Sequence, residues 1–269
     1  RGVAEAGPMR QHRAMADHER KNEHLALARD ARVQRPGRGN GLARYRFENV
    51  SLPELDLDRI DTSCVVLGRR LRAPLLVGAM TGGTTRAGQL NRVLAEAAER
   101  CGVGLCLGSQ RPMLDLEPAV VATFGVRQYA PSVLVMGNIG AIQVRDHLDG
   151  KHLEMLAAAV GADGMMIHVN PLQEAIQPEG DRDWRGVIDA IGEVVANCSV
   201  PVLVKEVGAG LADATLRELA QTGIAGVETA GVGGTSWAGI EALRHTARTP
   251  RSDRKSTRLN SSHVALSRM

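Results

Sequence analysis

The chain has 269 residues, 43% hydrophobic, 23% charged and only 2% aromatic, with 30 glycines. That length suits one large α/β domain or two small ones, the charged fraction is that of a globular rather than a disordered chain, and no apolar run approaches the ~20 residues of a bilayer span. The formal charge of +3 is no argument for nucleic-acid binding, because residues 251–269 hold five basic residues and one acidic, leaving 28 basic against 29 acidic elsewhere.

The opening RGVAEAGPMR has no apolar stretch behind its charges, so nothing there reads as a secretory signal. Cys64, Cys101, Cys106 and Cys198 form no CxxC pair, and their mostly apolar neighbours predict buried, reduced thiols in a cytoplasmic protein. Residues 1–46 are Arg-rich and punctuated by Gly and Pro, with one helix expected around DHERKNEHLALARDA (17–31) and Asp17 as its cap.

From there the pattern alternates. PLLVGAM (74–80) precedes RAGQLNRVLAEAAERC, whose Leu90, Val93, Leu94, Ala97 and Cys101 make one helical stripe. VGLCLGS (103–109) and SVLVMGN (132–138) read as further strands. DGMMIHVN (163–170) follows a helix with Leu153, Leu156, Ala157 and Val160 on one face. PVLVKEVG (201–208) follows a helix with Val187, Ile188, Ile191 and Val195, and GVETAGVGG (226–234) follows LADATLRELAQTG. Continuous apolar strands are buried on both faces, which means a parallel sheet covered by helices. Polar residues stand at each strand's C-terminal end: Thr81, Ser109, Asn138, His168 with Asn170, Lys205 and Thr235. A (β/α)8 TIM barrel gathers such residues at one mouth, whereas a doubly wound sheet would concentrate them at a switch point. A barrel is therefore expected, incomplete here at about six of eight βα units.

Beyond Pro250 the helical patterning stops. DRKSTRLNSSH (253–263) resembles the translation of a sequencing adapter more than a protein segment. The expected organisation is an N-terminal extension (1–46), a partial barrel (47–250) and a non-native tail (251–269).

Three features carry chemistry. Glycine-rich strand ends, AMTGG (79–83) and GVGGT (231–235), let backbone N–H groups approach a planar or phosphorylated ligand, although each alone is also an ordinary βα turn. Lys205 ends an apolar strand, where a cation is costly unless functional or paired. A Schiff base or a cation beside an anionic cofactor is expected, in preference to an internal pair with Glu206 or Glu228. HVNPLQEAIQPEGD (168–181) sets imidazole, carboxamides and carboxylates just past a buried strand, and Glu174 there suits Mg2+ while Gln173 suits a substrate contact. A loop is expected to let these two adjacent side chains share one ligand.

Together RKNEH (20–24), AMTGG, GSQR (108–111), GNIGA (137–141), IHVNPLQEAIQPEGD (167–181), VKEVG (204–208) and GVGGTSWAGIEALR (231–244) resemble the type 2, flavin-dependent isopentenyl-diphosphate isomerases. The resemblance runs from about Arg20 to Arg244 and implies an FMN-binding barrel that interconverts isopentenyl and dimethylallyl diphosphate. By position it assigns FMN contacts to Ala79, Met80, Thr81, Ser109, Asn138, Lys205 and Thr235. It assigns diphosphate contacts to Arg20, Lys21 and His24, substrate contacts to Ser109, Gln110, Arg111, His168, Asn170 and Gln173, and the Mg2+ ligand to Glu174. Reduced FMN is then the acid/base, NADPH primes it, no side chain is singled out as catalytic, and the complete protein is a homo-oligomer without nucleic-acid or membrane partners. The family's later segments, with the Gly-rich run that holds the FMN phosphate, have no counterpart in this sequence. Rival readings are an FMN oxidoreductase of the hydroxy-acid oxidase type, a Schiff-base aldolase using Lys205, an inactive partial barrel and a basic nucleic-acid module.

Overall fold

A computed structural model describes residues 8–33 and 42–248. The described residues open with helix α1 (Pro8–Leu27), longer than the expected 17–31 segment at its N-terminal end. Asp17 therefore lies mid-helix and not at its start; Pro8, which needs no hydrogen-bonded N–H in a first turn, stands there instead. The sequence reading missed a hairpin, β1 (Cys64–Val66) with β2 (Arg69–Leu71), paired antiparallel. Leu67 and Gly68 form its two-residue turn, both with positive φ (47° and 79°), the conformation that matches the twist of the flanking strands.

The main body alternates strand and helix: β3 (Leu76–Val77), α2 (Thr85–Cys101), β4 (Gly104–Cys106), α3 (Pro118–Ala122), β5 (Val135–Gly140), α4 (Ala141–His147), α5 (Gly150–Val160), β6 (Gly164–His168), α6 (Pro171–Ile176), α7 (Val187–Ala196), β7 (Val202–Lys205), α8 (Asp213–Leu219), β8 (Gly226–Glu228) and α9 (Trp237–Arg248). The six strands β3–β8 form one parallel sheet in sequential order. Each strand lies beside its neighbour in sequence with no reversal, which is the order of a barrel arc and not of a doubly wound sheet. Among the described strands β3 and β8 each have one partner, so the arc is open.

Why these segments become strands follows from burial. Every residue of β4 and β5 is buried, as continuous apolar runs require when helices cover one face and the barrel interior the other. Leu105, Val135, Met136, Ile139, Met165, Ile167 and Val204 meet Leu153, Leu156, Ile191 and Val194 of the helices in one core. Each such aliphatic side chain, fully buried, contributes about 2 kcal/mol of transfer free energy. Helix ends are set locally. Thr84 accepts from the Ala87 N–H at 3.1 Å to start α2, and Asp149 with His152 forms a capping box for α5.

The N-terminal ends of the strands are closed by one carboxylate. Asp163 accepts from Arg69 (2.6 and 3.0 Å), from Arg127 (2.7 Å) and from the Val135 N–H (2.9 Å), tying the hairpin to the sheet. Arg127 also donates to the carbonyls of Ala130, Val133 and Gly161 at 2.8–2.9 Å. No helix of the described residues is long and apolar enough to cross a membrane. The expected tail, 251–269, lies outside the described residues.

Candidate active site

Strand ends and helix α1 border a cleft of about 330 Å³ at the C-terminal side of the sheet. Sixteen of the expected site positions can be followed onto this geometry. Ala79, Met80, Thr81, Ser109, Asn138, Lys205 and Thr235 line the cleft, as do Arg111, His168, Asn170, Gln173 and Glu174. Arg20, Lys21 and His24 reach the same cleft from α1, more than fifty residues away from the nearest of the others. Gln110 does not reach it. It is fully buried, its amide donates to the Leu156 carbonyl at 3.0 Å, and its Oε1 accepts from the Asn138 N–H at 2.9 Å. The correction has a plain cause: Gln110 faces the packing between β4, β5 and α5 while Ser109 and Arg111 beside it face the opening. Its work is to hold Asn138 in place.

Asn138 in turn holds His168. The His168 Nδ1 lies 2.8 Å from the Asn138 Oδ1 across the β5–β6 ladder. A carboxamide oxygen only accepts, so Nδ1 carries the proton and a neutral ring leaves Nε2 as an acceptor. Burial, then the cations Lys205, Lys21, Arg111 and Arg20, push the His168 pKa down to about 3. The ring is neutral at physiological pH, and the four cations that keep it so make the cleft attractive to an anion.

Lys205 is paired, contrary to the expectation. Its Nζ donates to the Glu206 carbonyl at 2.6 Å and stands 3.7 Å from the Glu228 carboxylate. The alternation of side chains along a strand removes only Glu206 as a partner; Lys205 and Glu228 are opposite each other in the β7–β8 register and share a face. The Glu206 carboxylate points elsewhere, accepting the N–H groups of Gly208, Ala209 and Gly210.

Glu174 and Gln173 sit on a helix and not in a loop. Pro171 opens α6, because its ring suits a first helical turn as well as it stops a strand. Asn170 Nδ2 donates to Glu174 Oε1 at 2.8 Å and to Gln173 Oε1 at 3.3 Å, and the Asp181 N–H donates to Glu174 Oε2 at 3.0 Å. The carboxylate is thus fixed while keeping lone pairs for a cation. Among the described residues no group of three His, Cys, Asp or Glu side chains stands close enough to hold a metal by itself. A Mg2+ at Glu174 therefore fits only by taking most of its oxygens from a ligand and water.

Two residues that anchor this arrangement were not singled out from the sequence. Glu241, fully buried, accepts from His24 Nε2 at 2.7 Å, from Gln173 Nε2 at 3.4 Å and from Arg244. Burial alone would raise its carboxyl, but the bonds from His24 and Arg244 hold it below the usual range. Burial pulls the His24 pKa down against the opposing bond to Glu241, and the ring also meets Trp237 edge-on with centroids 5.3 Å apart. Arg244 forks to Glu241, to Glu23 of α1 at 2.8 Å and to Glu179 at 2.9 Å, tying three segments together. A signal existed: Trp237, Ile240, Glu241 and Arg244 follow the i, i+3, i+4, i+7 spacing of an inward face, so a charged pair occupies an apolar stripe.

The glycines of the rim suit a planar group. At Gly78, Gly208 and Gly231 an added Cβ would meet no atom within 4 Å, so the backbone there is bare toward open space. With Lys205 beside them, these residues fit an anionic, flat cofactor.

No family model matches the chain. It is 44% identical over 225 residues to the isopentenyl-diphosphate delta-isomerase of Stutzerimonas stutzeri (strain A1501), covering 84% of this chain and 65% of that protein. It is 49% identical over 211 residues to the protein of that name from Xanthobacter autotrophicus (strain ATCC BAA-1158 / Py2), covering 77% and 61%. Against that of Rickettsia bellii (strain RML369-C) it is 40% identical over 232 residues, covering 86% and 67%. The chain spans about 65% of the length of the curated relatives it matches. A mandelate oxidase structure with 3,3-difluoro-2-hydroxy-3-phenylpropionic acid aligns with a TM-score of 0.48 at 17% identity, over 86% of this chain and 73% of that one.

Proposed function

As the chain belongs to the isopentenyl-diphosphate delta-isomerase family, we propose that the full-length protein interconverts isopentenyl and dimethylallyl diphosphate, with FMN and Mg2+ bound in the cleft. One observation carries this reading. Arg20, Lys21, Arg111 and Lys205, from α1 and two separate strand ends, act together on the neutral His168. A diphosphate is the kind of ligand such a cluster recognises, through charge-assisted hydrogen bonds that are shorter and stronger than neutral ones.

In this reading Arg20, Lys21 and Arg111 bind the diphosphate, and His168 Nε2 accepts a hydrogen bond without adding charge. Glu174, oriented by Asn170 and the Asp181 N–H, would hold Mg2+, whose charge would help neutralise the diphosphate. The backbone of Ala79–Thr81 and of the glycine-rich 231–235 segment, with Ser109, Asn138, Thr235 and Lys205, would hold FMN. When bound and reduced by NADPH, FMN supplies the acid/base function of an allylic proton shift. Helix α1, held by His24–Glu241 and Glu23–Arg244, walls the cleft from water, which strengthens each electrostatic contact inside.

Residues 1–46 then form the substrate-binding extension and 47–250 the FMN-binding partial barrel, with 251–269 a non-native tail. Of the four free cysteines only Cys106 is buried as expected, and burial pushes it up to about 12; Cys101 is exposed and Cys64 and Cys198 are half-buried, and four free thiols support a reducing, cytoplasmic compartment. A homo-oligomer remains part of the proposal. The test is conversion of isopentenyl diphosphate by the protein completed to its relatives' length, given FMN, Mg2+ and NADPH. Turnover is expected, and its absence with the flavin bound and reduced overturns the reading.

A further inference from the structure

The polar side chains of the cleft are nearly all committed to one another. Asn138 is taken by His168, Asn170 by Gln173 and Glu174, and Gln173 by Glu241. Gln143, which no motif pointed to, lines the same cleft from the first turn of α4 and makes no side-chain hydrogen bond among the described residues. Its position depends on Gly140 at the end of β5. A Cβ on Gly140 would fall 2.1 Å from Gln143 Oε1 and 3.2 Å from His168 Nε2. The missing Cβ is what lets the carboxamide fold back over the strand end, so that Gln143 and His168 border the same space.

That space has a defined chemistry. Lys205, Lys21, Arg111 and Arg20 all act on the His168 ring, so an occupant beside it is anionic. A carboxamide offers two N–H donors without charge and turns freely about its last torsion to present them. It can bind an anionic oxygen without repelling the cations around it.

We infer that Gln143 is a ligand-contacting residue of this cleft, donating hydrogen bonds to the anionic oxygens of a diphosphate alongside His168. The inference rests on the reading of the cleft as a diphosphate site. It makes Gly140 a functional requirement as well, because any larger residue there displaces the carboxamide.

The experiment is calorimetric titration of the 269-residue chain with inorganic pyrophosphate in the presence of Mg2+. Gln143→Ala is expected to weaken binding about 10-fold, the worth of one hydrogen bond to a charged group. Gln143→Glu should weaken it further, since it sets a carboxylate against the anion. Gly140→Ala moves only the far end of a flexible side chain and should match Gln143→Ala, with no added effect when the two are combined. Melting midpoints close to wild type in all variants would separate lost contact from lost fold. Should the wild-type chain bind pyrophosphate while Gln143→Ala and Gln143→Glu bind it equally well, the inference fails and the diphosphate reading survives. A Gly140→Ala defect that persists undiminished in the Gln143→Ala background assigns the effect to His168 and also overturns the inference. No pyrophosphate binding by the wild-type chain overturns both together.

Discussion

The two ends of the β3–β8 sheet carry ionic clusters built from the same residue types, part-buried at one end and buried at the other, and only the second borders a cleft. At the N-terminal end Asp163 collects Arg69, Arg127 and the Val135 N–H, and Arg127 spends its remaining donors on three carbonyls. Both Asp163 oxygens and all three nitrogens of the Arg127 guanidinium find their partners inside the protein. At the C-terminal end Arg244 is saturated in the same way by Glu23, Glu179 and Glu241. Around that anchor, however, four cations lower His168, and the Gln143 carboxamide has no partner among the described residues. A closed cluster holds elements together; one that opens onto a cleft beside a carboxamide with no partner among the described residues is a place for a ligand. In barrels the bottom face carries stability and the top face chemistry, and here the difference is visible bond by bond.

The sharpest break of the comparison is Asp163→Ala. It leaves Arg69, one donor of Arg127 and the Val135 N–H without their acceptor, and should cost about 2 kcal/mol, as losing hydrogen bonds to a charged, part-buried acceptor does. Urea denaturation would register this as a lower midpoint, with pyrophosphate binding by the folded fraction unchanged. A comparable loss of binding would mean that the two ends are coupled.

Next in size is Glu174→Gln in the completed protein. The variant keeps shape but removes the charge that attracts the metal, and turns an NH2 toward Asn170 or the Asp181 N–H, which are themselves donors. Turnover should fall about 30-fold, within the usual range for a weakened metal site. The Mg2+ requirement should rise while FMN binding changes little. Weaker FMN binding with an unaltered Mg2+ dependence would make Glu174 a structural residue of α6.

The two ends should also respond differently to acid. His168, at about 3 against an ordinary 6.5, is protonated more readily in the unfolded chain. Its neutral burial therefore costs nothing above pH 6.5, and stability falls as pH drops from 6.5 toward 3, by about 1.4 kcal/mol per unit at most. Burial raises the Asp163 carboxyl, but Arg69, Val135 and Arg127 outweigh it and hold it below 3.8. Its contribution is present above pH 3.8 and fades only below. Hydrogen exchange at pH 5 should thus show opening around β5–β6 at the cleft before the β1–β2 hairpin. Simultaneous opening would contradict the separation.

The smallest effect belongs to the hairpin turn. Gly68→Ala meets no steric neighbour, so only the backbone conformation at φ 79° is penalised, by about 1 kcal/mol. Thermal melting measures it, and an unchanged midpoint would show that the turn relaxes.

Local pattern alone determined a good deal here. The apolar runs 74–80, 103–109, 132–138, 163–170, 201–208 and 226–234 each contain or overlap an observed strand; burial on both faces leaves this period-free apolar signature in β4 and β5, while β3 and β8, at the ends of the arc, are only partly covered. The residues near their C-terminal ends then follow to one mouth, since parallel strands share a direction. The hairpin 64–71 escaped because its alternation is short and its Leu67–Gly68 turn lacks the Asn or Asp that advertises such turns. What remained for the tertiary structure were relations between residues distant in sequence. Lys205 met Glu228 through register, Gln110 turned inward to brace Asn138, and Glu241 and Arg244 found α1 more than two hundred residues earlier. Gln143 reached His168 only because a strand ends at a glycine. A charge's role depends on which partners the fold delivers to it, and that is a property of packing which no linear spacing encodes.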